Sequence, residues 1–217
     1  LPNCFTDGES APHYNTVDAS MWFLHAVGEL GRHAKVGDAL LEAALDIIER
    51  YAHGTDFDIR VDSSDGLEMA GDASTQLTWM DARRDGVVFT PRNGKCVEIN
   101  ALWVSGLRAT AELLPKGRKR EAETLRHRAD LASESLRLLF WRPQLGCYCD
   151  RLAPDGRGGW TPIDEVRPNQ LFAAALERTG VPIEHRRAIV AKAKETLRTP
   201  GGMRTLAPGS NGYQPRY

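Results

Sequence analysis

Six stretches of the chain set apolar side chains at steps of three and four, the period of a helix with one buried face. Val17, Met21, Leu24, Val27 and Leu30 form the first stripe, with Gly31 and His33 at its end. Leu41, Ala44, Leu45, Ile48 and Tyr51 form the second, which Gly54 stops. Val97, Ala101, Val104, Leu107, Ala111 and Leu114 form the third and run into Pro115. The fourth carries Leu125, Ala129, Ala132, Leu136 and Phe140 ahead of Pro143. Leu171, Ala174, Ala175 and Arg178 make the fifth, closed by Gly180. The sixth runs from Ile183 to Leu197 with Ile189, Val190 and Ala193 inward, and Thr199-Pro200-Gly201 ends it.

These six helices fall into three sequential hairpins. The links near residues 34–38 and 179–183 are short, which implies antiparallel neighbours. Between hairpins the links are long, 54–95 and 144–166, and long ordered loops in compact domains usually carry function. Strand-like runs at Phe57–Val61 and Gly146–Arg151 fit small β-hairpins inside those loops, and no run of strands is long enough for a larger sheet. The hairpins share no fixed-period repeat, which argues against tetratricopeptide-type arrays. The expectation is an all-α toroid of dissimilar helical hairpins, one domain over residues 1–217, with six helices making part of a ring.

Charge narrows the partners. Lys and Arg total 28 against 29 Asp and Glu, so neither nucleic acid nor an anionic membrane is the expected partner. No window approaches the ~18 uninterrupted apolar residues of a membrane span. Four cysteines do not make a disulfide scaffold, and Cys147-x-Cys149 lacks the second pair or His that zinc requires. Buried free thiols are the plain reading of Cys4 and Cys96. Asp62-Ser63-Ser64-Asp65-Gly66 resembles part of a calcium loop but lacks its remaining ligands.

The long loop 54–95 holds Thr78-Trp79-Met80-Asp81. An indole stacks on the apolar face of a pyranose, and a carboxyl beside it in a partly apolar setting keeps its proton more readily. Trp79 as a core anchor with Asp81 as a turn residue explains the same pattern. Tyr14, Asn15, Asp18 and Trp22 gather at the mouth of the first helix, although Asp18 also suits an ordinary first-turn acid. Glu98 opens the third helix and Asn169 with Gln170 the fifth. Three odd-numbered helices thus start with polar or aromatic groups after irregular chain, and in a hairpin toroid such ends can face one cavity.

Taken in order, Tyr14-Asn15-Thr16-Val17-Asp18-Ala19, Gln76-Leu77-Thr78-Trp79-Met80-Asp81-Ala82, Thr90-Pro91-Arg92, Val97-Glu98-Ile99-Asn100-Ala101-Leu102-Trp103, Arg167-Pro168-Asn169-Gln170 and Arg204-Thr205-Leu206 resemble the C-terminal amylo-α-1,6-glucosidase domain of bacterial glycogen debranching enzymes. The resemblance covers nearly the whole chain. It implies an (α/α)6 toroid and hydrolysis of an α-1,6-linked glucose stub on glycogen or limit dextrin, with inversion. Asp81 would be the general acid, Asp18 would hold hydroxyls of the terminal glucose, and Trp79, Arg92 and Glu98 would line the subsites. Inversion needs two carboxyl groups and no metal or organic cofactor. The resemblance also implies a cytoplasmic enzyme, a catalytic base beyond Tyr217, an isolated chain inactive alone, and self-association through open ring edges. A non-catalytic α-glucan-binding module and a helical scaffold for protein partners are the competing readings.

Overall fold

A computed structural model describes residues 1–5, 8 and 11–215. The described residues form six α-helices: α1 (Asp18–His33), α2 (Asp38–His53), α3 (Val97–Leu113), α4 (Lys119–Phe140), α5 (Leu171–Ala175) and α6 (Ile183–Thr196). α2 ends where the stripe predicts, because Gly54 takes φ 106°, a conformation that other residues reach only with strain. α3 is buried on every face from Val97 to Leu107, so it is the central helix and not an amphipathic one. It packs most heavily on α4 and α1, and also touches α2 and α5. The odd helices therefore adjoin in the order α1, α3, α5, and one apolar cluster draws on all six helices.

The α1–α3 contact is close because glycine makes it so. A β-carbon added at Gly28 would sit 2.6 Å from the Ala109 Cβ, and one at Gly106 would sit 2.9 Å from the Leu24 Cβ. Gly28→Val is expected to cost about 1–3 kcal/mol through overpacking, read as a lower midpoint in urea denaturation. An unchanged midpoint would mean that the two helices are not packed this tightly.

Three details depart from the periodicity. α5 is only five residues long; Leu176 turns extended at ψ 122° and a 3-10 turn, Glu177–Thr179, follows. The carbonyls released there are taken up by the Arg186 guanidinium, which donates to Ala174, Leu176 and Glu177. Leu30 is exposed, because the buried face of α1 drifts toward Gly28 and Gly31, which lie against Ala109 and Leu113 of α3. Val190 is also exposed, about a quarter turn away from the buried Ile189 and Ala193.

The long links carry short strands. β1 (Arg60–Val61) pairs with β2 (Glu68–Met69), and β3 (Arg83–Arg84) with β4 (Val87–Val88). β5 (Lys95–Cys96) leads into α3. β6 (Trp141–Arg142) pairs with β7 (Cys147–Tyr148), and β8 (Arg151–Pro154) pairs with both β9 (Trp160–Ile163) and β5. β10 (Arg198–Thr199) pairs with β11 (Gly202–Met203). The sheet β5-β8-β9 ties the two long loops together, a long-range pairing beyond the local hairpins that the sequence predicts. Gly94 permits it: a β-carbon there would meet the Leu152 carbonyl oxygen at 2.3 Å. No helix among the described residues is long and apolar enough to cross a membrane.

Candidate active site

The starts of α1, α3 and α5 meet through the loop that carries Asp81. Just before α1, the Val17 amide donates to the Leu77 carbonyl at 2.8 Å, and the Thr16 hydroxyl donates to Asp18. Two residues beyond Leu77, the Trp79 Nε1 donates at 2.9 Å to Oδ1 of Asn169, which stands just before α5. Asn169 Nδ2 donates to Asp150 at 2.7 Å. The other Asp150 oxygen accepts from Arg92, whose Nη2 also reaches Glu98 in the first turn of α3. Asp150 is locked by its backbone too, accepting from the Val97 amide and donating to the Ile163 carbonyl, each at 3.1 Å. The three helix starts are thus linked by hydrogen bonds, but they do not open on one cavity as the sequence predicts.

The predicted residues are not all in one place. Asn15 and Asp81 share a cleft of about 430 Å³ with Phe57, Ser74, Thr75, Gln76, Leu77 and Arg83. Gln76 lines that cleft with neither polar atom of its amide hydrogen-bonded, and Phe57 holds a left-handed φ of 62°. Tyr14 lines a separate cleft with Thr16, Ser20, Arg50, Tyr51 and Asp56. Trp22 is exposed and makes edge contacts with His25 and Phe172. Gln170 is buried, where its Oε1 accepts from the Tyr148 amide at 3.2 Å.

Three expectations need correcting. The side chains of Arg92 and Glu98 are each 2% exposed and face one another, so in this chain they brace the site from beneath and line neither cleft. Asp81 is exposed and Trp79 is 49% exposed, so the burial expected to favour the proton on Asp81 is not provided by the described residues. Cys4 is exposed as well, whereas Cys96, Cys147 and Cys149 are buried free thiols.

Electrostatics set the cluster apart. Burial pushes the Glu98 carboxyl up to about 7, the Asp150 charge adds to the shift, and Arg92 opposes it. The segment resembling a calcium loop does hold a cation, but it is the chain's own Lys95. Its fully buried ammonium lies 2.7 Å from Asp62, contacts Asp65, and sits 4.2 Å from the Trp160 ring centre. Asp150 escapes a reading of the sequence because its partners Arg92 and Asn169 are 58 and 19 residues away. Its only local signal is a position at the end of the strand-like run 146–151.

Glu68 behaves differently. It is fully buried, its carboxylate oxygens have no partner among the described residues, and burial raises its pKa well above 4.5 against the pull of Arg60. The folded chain therefore keeps a proton that the unfolded chain releases. The contribution is fully favourable below the unfolded value and is lost as pH rises toward the folded one. Glu68→Gln is neutral at every pH, so its urea midpoint should gain on the wild type as pH rises above the unfolded carboxyl value. A midpoint difference that does not vary with pH would count against this. Glu98, shifted the same way, leaves part of the slope in the variant.

A family model for amylo-alpha-1,6-glucosidase matches residues 1–217. The chain belongs to the amylo-alpha-1,6-glucosidase family. This glucosidase-family chain is 25% identical, over an alignment of 298 positions, to the glycogen debranching enzyme of Saccharomyces cerevisiae; the match covers 100% of the chain and 19% of that relative. In fold it is similar to a GH78 family rhamnosidase of Bacillus sp. GL1, with a TM-score of 0.60 and 19% identity, covering 86% of this chain and 18% of that one. It is likewise similar to a rhamnosidase from Klebsiella oxytoca with rhamnose bound, with a TM-score of 0.60 and 16% identity, covering 88% and 33%. The glucosidase-family chain thus spans about a fifth of its curated relative and at most a third of these structures.

Proposed function

We propose that this chain is the acid-bearing part of an (α/α)6 toroid in a longer debranching enzyme. That enzyme would hydrolyse α-1,6-linked glucose stubs on glycogen or limit dextrin with inversion, in the cytoplasm and without a cofactor. Asp81 protonates the departing glycosidic oxygen. The observation that carries the reading is the position of Thr78-Trp79-Met80-Asp81: the loop is bonded to the starts of α1 and α5, and Asp81 opens into the 430 Å³ cleft. Asn15 and Asp18 offer hydroxyl partners, and Trp79 offers a stacking face.

Inversion requires a second carboxylate about 6.5–9.5 Å from the acid, free to activate water. Glu98 is committed to Arg92, Asp164 pairs with Arg142 at 2.7 Å, and Glu165 pairs with Arg167 at 2.7 Å. Asp18 accepts from the Thr16 hydroxyl. The base is assigned, as the family resemblance implies, to a part of the longer enzyme outside this chain, and the 217-residue chain alone is expected to release no glucose. Exposed Leu131, Leu138 and Leu139 on α4 support self-association, which sedimentation velocity would show as a dimer or larger species.

The test is proton NMR of the longer enzyme acting on phosphorylase-limit dextrin. New glucose should emerge as the β-anomer before it mutarotates. Glucose emerging first as the α-anomer would overturn inversion. No glucose from limit dextrin, with binding retained, would favour the α-glucan-binding module instead.

A further inference from the structure

Trp79 combines two properties that rarely go together. It is 49% exposed, yet its Nε1 is bonded at 2.9 Å to Asn169, a residue with no exposure at all. An exposed indole is ordinarily held by packing alone and samples several rotamers. Here a buried acceptor fixes its direction.

What fixes the acceptor is Asp150. An asparagine amide can face either way, and its partners decide which end is oxygen. A carboxylate only accepts, so Asn169 must turn Nδ2 to Asp150, at 2.7 Å, and this leaves Oδ1 for the indole N–H. The reversed amide would set oxygen against oxygen at Asp150 and N–H against N–H at Trp79. Asn169 Nδ2 also lies 3.4 Å from Met80 Sδ, so one buried amide touches both residues that precede Asp81. Asp150 itself cannot follow a moving partner, because Arg92 holds its second oxygen and two backbone hydrogen bonds hold its main chain.

We propose that Asp150 is a positioning residue: acting through Asn169, it sets the Trp79 indole as a fixed platform beside Asp81 on which the apolar face of a neutral pyranose stacks. The inference rests on the glucan reading above and adds to it a residue that never touches the sugar. A platform held in its bound rotamer spares the ligand the ordering cost that a mobile side chain imposes.

The experiment is a double-substitution cycle read by calorimetric titration of the longer enzyme, carrying Asp81→Asn so that the ligand is not hydrolysed, with panose, a neutral trisaccharide with an α-1,6-linked glucose. Asp150→Asn and Trp79→Phe should each weaken panose binding about tenfold, and the double variant should also lose about tenfold, because the second change has nothing left to unpin. A role for Asp150 in general stability alone would give independent losses, about a hundredfold together, and would overturn the proposal. Unchanged affinity in Asp150→Asn would overturn it as well. Where Asp150→Asn lowers the folded fraction, Asn169→Leu keeps the Arg92–Asp150 pair and should give the same tenfold loss and the same non-additivity with Trp79→Phe. An Asp81→Asn enzyme that binds no panose would defeat the glucan reading itself, whereas panose binding with additive variants defeats only the positioning role.

Discussion

Asp81→Asn in the longer enzyme is expected to lower glucose release from limit dextrin by about 10²–10⁴-fold, the usual worth of a general acid. Shape and hydrogen-bonding capacity are nearly kept, and Asp81 is exposed, so stability should not change. What is lost is the transferable proton. A substrate whose leaving group needs none separates that role from binding: α-glucosyl fluoride should remain a usable substrate for the variant while limit dextrin does not. Equal loss on both substrates would mean that Asp81 positions the sugar and does not protonate it. Full activity on limit dextrin would remove Asp81 from the mechanism.

Arg92→Met is expected to have the largest effect on stability. Arg92 divides its guanidinium between Glu98 and Asp150, and all three side chains are 2% exposed. Removing the cation leaves two carboxylates facing each other out of water, and breaking a buried pair in this way costs about 3–5 kcal/mol. For a chain of this length the melting temperature should fall on the order of 10 °C. Lysine should not restore it, because one ammonium cannot span both carboxylates as the planar fork does. In the variant, Arg92 no longer opposes the burial that raises the Glu98 carboxyl above its unfolded value, so stability is lost as pH rises. The gap between Arg92→Met and the wild type should therefore narrow toward about pH 5 in thermal unfolding. A gap that stays constant with pH would show that the two carboxylates do not share one charge balance.

Most of the helices were legible because they bury a stripe with a local period and their ends carry local chemistry; α3 is instead buried all round, and α5 buries only Ala173. Gly54 closing α2 and Pro115 following α3 act over one or two residues. α5 is shorter than its apolar spacing predicts because its end depends on Arg186, a side chain from α6 that takes up the freed carbonyls. Leu30 and Val190 follow the helical period yet face solvent, since the period cannot say which neighbouring helix arrives, or at what angle. The ordered motifs marked Asp81, Trp79 and Asn169, but nothing in their spacing indicated that Trp79 is tied to Asn169, 90 residues away.

The sequence by itself determined the six helices, the long loops between hairpins and the family, because periodicity, capping and motif order are properties of short stretches of chain. Only the tertiary structure decided which side chains meet. It joined the two long loops through β5 and β8 and placed Lys95 where a metal ion was conceivable. It also withdrew Arg92 and Glu98 from solvent and put Asp150 between Arg92 and Asn169. Each of these is a long-range contact, and buried charges become affordable only when the fold supplies their partners.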